Sequence, residues 1–86
     1  MSNIQKHRTT VDIFGQAYVI MGTESPSHIR LVASLVDDKM REISFKNPTL
    51  DVNKLAVLTA VNAVNDYIKI KDQLERLQAE LQKEKD

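Results

Sequence analysis

Histidines and neighbouring aspartates are the side chains of this sequence that could bind a metal ion. His7 lies in the N-terminal segment and His28 near the start of a predicted helix, so no two histidines have the i, i+4 spacing of a helical metal site. Asp37 and Asp38 are adjacent, and adjacent side chains on a helix point about 100° apart. We interpret all four as solvated surface residues and predict neither a metal site nor a cofactor.

The sequence shows no catalytic nucleophile and no phosphate-binding loop. No G-x-S-x-G motif surrounds any serine between Ser25 and Ser44, and no base is placed to activate one. Gly15 and Gly22 are the two glycines, and they form no phosphate-binding pattern. Cysteine is absent, which excludes thiolate nucleophiles, disulfides and cysteine-ligated zinc. The sequence therefore predicts a protein that is not an enzyme.

The charged residues are balanced, with 12 lysines and arginines against 12 aspartates and glutamates. A protein that binds nucleic acid normally has a basic excess, so a formal net charge of zero argues against this class. The basic residues in or near the predicted head are interleaved with acids, which favours a solvated face. If they do gather into a patch, a protein surface is a better target than DNA. These residues are Arg8, Arg30, Lys39, Arg41, Lys46 and Lys54.

Length and hydropathy predict one small self-associating domain. The chain has 86 residues, of which 42% are hydrophobic but only 5% aromatic, which leaves little for an aromatic-lined small-molecule pocket. The longest apolar run has five residues (17–21), far short of the roughly 20 that span a bilayer. We therefore expect a soluble intracellular protein without a signal peptide or membrane insertion. The apolar surface suggests that one copy does not bury it all, and oligomerisation is a common remedy.

The segment after residue 8 has period two and predicts a β-hairpin. With Gly15-Gln16 as the two central residues of a type II′ turn, one apolar face contains Val11, Ile13, Tyr18 and Ile20. Residues 1–8 lack periodicity and are predicted to be a flexible arm. The predicted cross-strand pairs are Phe14 with Ala17, Ile13 with Tyr18, Asp12 with Val19 and Val11 with Ile20.

Two helices are predicted after the hairpin. Ser25-Pro26 is typical of an N-cap followed by proline at the first helical position. The next four to five turns carry an apolar stripe, with residues 44–49, which include Asn-Pro, predicted as the loop that follows. Asp51 is then a good N-cap, and Leu50 can pack on Leu55 as a hydrophobic staple. The stripe comprises Ile29, Val32, Ala33, Val36, Met40 and Ile43, widened by Leu31 and Leu35.

No glycine or proline interrupts residues 51–86, which predicts a helix about 52 Å long. Its first half is apolar around most of its circumference, so we expect it to be buried on several sides and predict that Leu58, Val61 and Val64 hold a dimer. Its second half is a short heptad seam of Ile70, Leu74, Leu77 and Leu81, which extends back through Tyr67, Ala63 and Ala60. The predicted fold is thus α+β: a two-stranded hairpin, an amphipathic helix and a long helix that ends in a short coiled coil.

Two asparagines, Asn62 and Asn65, lie inside the most apolar part of the long helix. One interpretation is a register-setting polar contact within an oligomer core. The other is an exposed recognition side chain on one flank of the helix. Periodicity alone does not separate these interpretations.

Three segments occur in a distinctive order: VDIFGQ at 11–16, SPSHIR at 25–30 and KLAVLTAVN at 54–62. Together with the order of hairpin, capped helix, Asn-Pro loop and long helix, they closely resemble the ZapA family of bacterial cell-division proteins. The resemblance extends from about residue 8 to the C-terminus. It implies a single ZapA-like domain with a head at 9–50 and a dimerisation helix at 51–86.

The resemblance implies a non-enzymatic protein that binds FtsZ, cross-links or bundles its protofilaments, and promotes Z-ring assembly during septation. Cytoplasmic localisation at the mid-cell division ring follows from the same resemblance. The coiled coil stops soon after Leu81, as in the short members from Gram-positive bacilli, which favours a homodimer over a homotetramer. The family also places charged head residues against FtsZ.

The residues expected to meet FtsZ surround the hairpin turn and the loop between the helices. The turn position is Gln16 here, where a basic residue occurs in some relatives. Asn62 matches the Leu-Asn step of the family, with Val61 in the leucine position. The expected FtsZ-binding residues are Arg41, Lys46, Lys54, Asn62 and Gln16. The expected oligomerisation residues are Leu55, Leu58, Val61, Val64, Tyr67, Ile70, Leu74, Leu77 and Leu81.

Two alternatives remain open at this point. One is a homo-oligomeric coiled-coil adaptor for a different intracellular protein, such as a chaperone or another filament. The other is a small nucleic-acid regulator with a basic helix face, whose binding would depend strongly on salt.

Overall fold

The computed structural model describes residues 5–84 and contains two strands followed by two helices. The elements are β1 (His7–Ile13), β2 (Gln16–Gly22), α1 (Pro26–Lys46) and α2 (Val52–Glu84). This confirms the predicted α+β architecture. The predicted end of the arm at residue 8 is wrong, because His7 and Arg8 already pair with β2. The rest of that arm up to residue 4, and residues 85–86 of the predicted long helix, lie outside the described part of the chain.

The hairpin is antiparallel, but its register differs by two residues from the predicted one. Val11 pairs with Tyr18 and Ile13 with Gln16, so the turn is centred on Phe14-Gly15 rather than Gly15-Gln16. Because side chains alternate with period two, a two-residue shift leaves every side chain on its predicted face. Val11 is therefore buried as expected, whereas Tyr18 is 45% exposed.

The conformation of the turn explains this register. Phe14 has φ 50° and Gly15 has φ 79°, and positive φ at both central residues defines a type I′ turn, which matches the twist of the flanking strands. The predicted type II′ turn is thus wrong. A positive φ is unfavourable for a bulky residue, but the Phe14 ring packs against the hydrophobic core. Burial of the ring offsets the backbone cost.

Helix α1 begins as the sequence predicts and ends later. The Ser25 hydroxyl accepts a hydrogen bond from the His28 N–H at 3.2 Å, with Pro26 at the first helical position. The Asn47 N–H donates to the carbonyl of Ile43 at 3.0 Å. The predicted loop at 44–49 is therefore too long at its start, because helical hydrogen bonding continues up to the residue before Pro48.

Helix α2 begins at the predicted cap. The Lys54 N–H donates to the Asp51 carboxylate at 2.9 Å, and Leu50 packs against the core cluster that contains Leu55, as the staple requires. The 33 residues of α2 span about 50 Å at 1.5 Å per residue. None of the described helices has the length and apolar character needed to cross a membrane.

The core is small and lies where the hairpin, α1 and the first turns of α2 meet. Met40, Ile43 and Leu55 form its centre, with Ile13 and Phe14 of the hairpin packed against it. Every residue of α2 from 60 to 84 is exposed. The expectation that the first half of this helix is buried on several sides is thus not met within one protomer.

The turn geometry predicts a specific cost for a side chain at Gly15. Gly15→Ala places a Cβ at φ 79°, so we expect the free energy of unfolding to fall by about 1 kcal/mol. Gly22→Ala is the matched control, because Gly22 has no positive φ and nothing within 4 Å of an added Cβ. Chemical denaturation at one fixed protein concentration measures both. Equal losses for the two variants would contradict the assigned turn.

Candidate interaction surfaces

The first candidate surface is the heptad side of α2, here called the seam. Its residues are 54–64% exposed in the protomer: Tyr67, Ile70, Leu74, Leu77 and Leu81. At its N-terminal end the seam is continuous with α1, because Tyr67 and Ile70 line a groove of about 440 Å³ together with Val32 and Leu35. An apolar surface of this length on a small domain is typical of an interaction site.

A second apolar stripe, here called the flank, lies on another side of α2. It consists of residues that are 38–63% exposed: Val57, Leu58, Val61, Val64 and Ile68. At about 100° per residue, Val61 lies about 140° around the helix from Leu74 of the seam. The residues expected to mediate oligomerisation therefore divide between two faces, rather than forming one.

Leu55 belongs to neither surface. It is 1% exposed and packs with Met40 and Ile43 inside the protomer. Its assignment to the oligomerisation surface is wrong, because a side chain already enclosed by its own chain offers no area to a second copy. Leu55 instead fixes the direction in which α2 leaves the head.

The two asparagines of the apolar region are exposed in the protomer. The side-chain amide of Asn62 donates to the Leu58 carbonyl at 3.3 Å, within its own helix. Asn62 lies about 40° around the helix from Leu58 and borders the flank. Both interpretations of this residue stay open, since the same position adjoins the self-association surface and solvent.

The third candidate surface surrounds the hairpin turn and is built on Asp37. The Phe14 N–H donates to Asp37 Oδ1 at 2.6 Å, and Arg41 Nε donates to Asp37 Oδ2 at 2.8 Å. The Arg41 guanidinium also lies over the Phe14 ring, 5.8 Å from its centroid, a cation–π arrangement. One carboxylate thus joins the turn to α1 and holds an arginine beside it.

These contacts shift the acidity of both groups. The hydrogen bond from Arg41, followed by that from the Phe14 backbone, lowers the pKa of Asp37 below its ordinary value of 3.8. The Asp37 carboxylate in turn raises the pKa of Arg41. Both effects favour the ionised pair, because the hydrogen bonds are made to the charged forms.

Two of the five residues expected to bind a partner lie near the hairpin turn. Arg41 contacts the turn residue Phe14, and Gln16 follows that turn with its side chain 3.4 Å from the Tyr18 hydroxyl.

Lys46 pairs with Glu42 at 3.7 Å and lies about 140° around α1 from Arg41. Lys54 makes no ion pair within residues 5–84 and lines a groove of about 400 Å³ with Leu50, Val57 and Leu58. The basic residues thus do not form one compact patch.

Sequence reasoning missed Asp37 as a structural link. The helical pattern predicts Asp37 on the solvated face of α1, whereas its carboxylate is 22% exposed and accepts a hydrogen bond from a residue 23 positions away. No local pattern carries that information. Within residues 5–84, no cluster of three or more potential ligands is arranged to hold a metal ion.

With these surfaces defined, comparison with known proteins identifies the family. The family model described as "Cell division protein ZapA" matches residues 9–86. The chain belongs to the ZapA family. A ZapA from Geobacillus sp. (strain WCH70) is 70% identical, with 100% of this chain and 99% of the relative covered. The ZapA of Bacillus subtilis (strain 168) is 60% identical, with both chains covered in full.

A solved structure gives the same result for the fold. It is described as a ZapA mutant dimer from Geobacillus stearothermophilus, and its chain is 55% identical to this one. The alignment covers 95% of each chain with a TM-score of 0.74. The membership predicted from the three sequence segments is therefore confirmed, and the ZapA fold of that dimer is shared by this chain.

The lowered pKa of Asp37 predicts how stability depends on pH. Above its ordinary pKa of 3.8, Asp37 is ionised and its two hydrogen bonds stabilise the folded state. As the pH falls through the lower folded-state pKa, the folded state takes up the proton and this contribution is lost. Wild type should therefore be more stable than Asp37→Asn at about pH 7 and about pH 5, and the difference should narrow towards about pH 2. A difference independent of pH, measured by denaturation at fixed concentration, would contradict the ionic link.

Proposed function

We propose that this chain is a non-enzymatic division protein that self-associates through α2 and cross-links FtsZ protofilaments, which promotes Z-ring assembly at the division site. Membership of a cell-division family supports the cellular role. The cross-linking proposal is supported by the long apolar surface of α2 in one protomer, which a second copy of the chain would cover. A protein with one binding head per copy becomes bivalent when two copies pair.

The physical advantage of a dimer is avidity. A twofold dimer carries two copies of any binding surface. Two weak sites on one rigid body can bridge neighbouring filaments, and repeated bridges along a polymer hold without tight single contacts. Bundling of this kind slows subunit loss from the filaments and so lowers their GTP turnover indirectly.

The separation of the seam from the flank supports a further step in assembly. One partner helix lying along the seam cannot also cover Leu58 and Val61, because these side chains point to another side of α2. The second apolar face therefore leaves room for a homotetramer, in which a second pairing covers the face that the first leaves open. We take the homodimer as the basic unit of assembly and the homotetramer as an additional state.

The head supplies the surface proposed to meet FtsZ. Arg41 lies on α1 beside the hairpin turn, and Gln16 directly follows that turn. Lys54 lies at the start of α2 and Lys46 at the end of α1. Arg41 and Lys46 are well exposed, at 61% and 70% of their side-chain surface. Exposed cations of this kind meet carboxylates of a partner and steer its approach. Salt should therefore weaken the complex.

The direct test is co-sedimentation of the full chain with purified FtsZ and GTP at two salt concentrations. The proposal predicts that the chain pellets with FtsZ, increases the FtsZ in the pellet, and does so less at high salt. An oligomer that leaves FtsZ sedimentation unchanged would contradict the proposed partner while leaving the fold intact.

Charge reversal in the head tests the binding surface. Arg41→Glu or Lys46→Glu should reduce the FtsZ pelleted by the chain by about fivefold or more, because each replaces attraction with repulsion. The matched control is Lys83→Glu, which makes the same charge change in the last turn of α2, away from the head and about 180° around the helix from Leu74 of the seam. Light scattering should show the same oligomer for all variants. Equal bundling by the head variants and the control would remove Arg41 and Lys46 from the site.

A charge on the flank tests self-association. Leu58→Glu would place a carboxylate in the proposed apolar interface at a cost of about 3 kcal/mol or more. The dissociation constant of the dimer should therefore rise roughly a hundredfold. Gln82→Glu adds the same charge at an exposed position beyond the flank and should leave the dimer intact. Sedimentation velocity distinguishes the species. A folded Leu58→Glu dimer of unchanged stability would contradict the role of this face.

A further inference from the structure

The hairpin packs against the helices through the apolar side chains of Ile13 and Phe14, and one hydrogen bond accompanies this packing. Among residues 5–84, the hydrogen bond from the Phe14 N–H to Asp37 Oδ1, at 2.6 Å, is the one hydrogen bond between the hairpin and either helix. A two-stranded hairpin is marginally stable by itself, and Phe14 has a backbone conformation unfavourable for a large side chain. The Asp37 carboxylate therefore helps to fix the turn on α1, together with the apolar packing of the Phe14 ring.

The same carboxylate orients Arg41. Its Oδ2 accepts from Arg41 Nε at 2.8 Å, while the Phe14 ring supports the face of the guanidinium. The two terminal nitrogens of Arg41 make no hydrogen bond within the described residues, and its side chain is 61% exposed. A guanidinium held at one edge presents its other edge as a fixed pair of donors, which suits a partner carboxylate.

We propose that Asp37 is a positioning residue for partner binding: it fixes the hairpin turn on α1 and orients Arg41, so that the turn and the guanidinium meet an acidic partner surface as one rigid unit. This inference rests on the proposed function, in which Arg41 contacts FtsZ. It goes beyond that function because Asp37 carries the same sign of charge as the partner surface and acts only through Arg41 and the turn.

Asp38 provides a control that separates the contacts of Asp37 from its charge. It follows Asp37 on α1, has the same charge and is exposed, but it makes no hydrogen bond or ion pair within residues 5–84. Its charge is near enough to act on Arg41, since it contributes to the raised pKa of that side chain. Asp38→Asn thus reproduces the charge change of Asp37→Asn without removing the two contacts.

The test compares Asp37→Asn, Asp38→Asn, Arg41→Gln and the double variant Asp37→Asn/Arg41→Gln in co-sedimentation with purified FtsZ and GTP. Asparagine offers one acceptor oxygen and one donor amide, so it can keep one of the two contacts but not both. We expect Asp37→Asn to weaken binding about tenfold and Asp38→Asn to stay within about twofold of wild type. In the Arg41→Gln background, Asp37→Asn should cause a clearly smaller loss than in wild type, because only its bond to the turn remains to be lost.

This double-variant comparison separates positioning from a general effect on folding. If Asp37 served the fold alone, its replacement would reduce binding by the same factor with or without Arg41, and that result would overturn the proposal. Arg41→Lys is a second variant that leaves the bond to Phe14 untouched. It keeps the charge but loses Nε and the planar fork, so it should bind about as weakly as Asp37→Asn. Wild-type binding by Arg41→Lys would also overturn the proposal.

Different results would overturn the proposed function and the positioning role of Asp37. Wild-type chain that does not pellet with FtsZ would overturn the proposed function and this inference with it. If the wild-type chain pellets with FtsZ and Asp37→Asn binds FtsZ as strongly as Asp38→Asn does, the positioning role alone would be overturned. Circular dichroism and sedimentation velocity, run on every variant, confirm that losses of binding occur in folded oligomers.

Discussion

Leu55 is buried where α1, α2 and the hairpin turn meet, and its packing holds the head together. Leu55 is 1% exposed and packs on Met40 and Ile43, with Phe14 of the hairpin turn beside them. Burial of one such side chain contributes about 2 kcal/mol, so this cluster can fix the head but not a helix about 50 Å long. Helix α2 consequently leaves the head in a defined direction, with most of its apolar surface uncovered.

The uncovered surface of α2 and the hairpin turn of the head have different proposed roles, self-association and partner binding. Seam and flank point to different sides of α2, so self-association has two faces available, and neither of them includes the hairpin turn. The hairpin turn, with Arg41 held by Asp37, is then free for a different kind of partner. In the proposed function this separation lets dimerisation multiply the number of heads without covering them, as a cross-linker of filaments requires.

The sequence predicts those features whose signals are local. The Ser25 cap, the Asp51 cap, the hairpin face with Val11 and the long helix all follow from residue types and spacing within a few turns. The hairpin register does not, because period two is satisfied equally by a shift of two residues, and burial of the Phe14 ring decides between them.

The candidate surfaces show the same limit. The apolar residues of α2 are evident from periodicity, but their division into seam and flank and the enclosure of Leu55 depend on where α1 lies. The role of Asp37 depends on a residue 23 positions earlier in the chain. Contacts of that kind arise only when tertiary packing brings elements together, and a surface aspartate on an amphipathic helix gives no sign of them.

Self-association should cover the apolar surface of α2 with a second copy of the chain. Sedimentation equilibrium of the full chain over a range of micromolar concentrations tests it most directly. We expect a mass of at least twice 9.8 kDa across that range, with helical content that falls if the oligomer dissociates. A folded monomer of 9.8 kDa, with the same helical content at every concentration, would show that α2 needs no second copy.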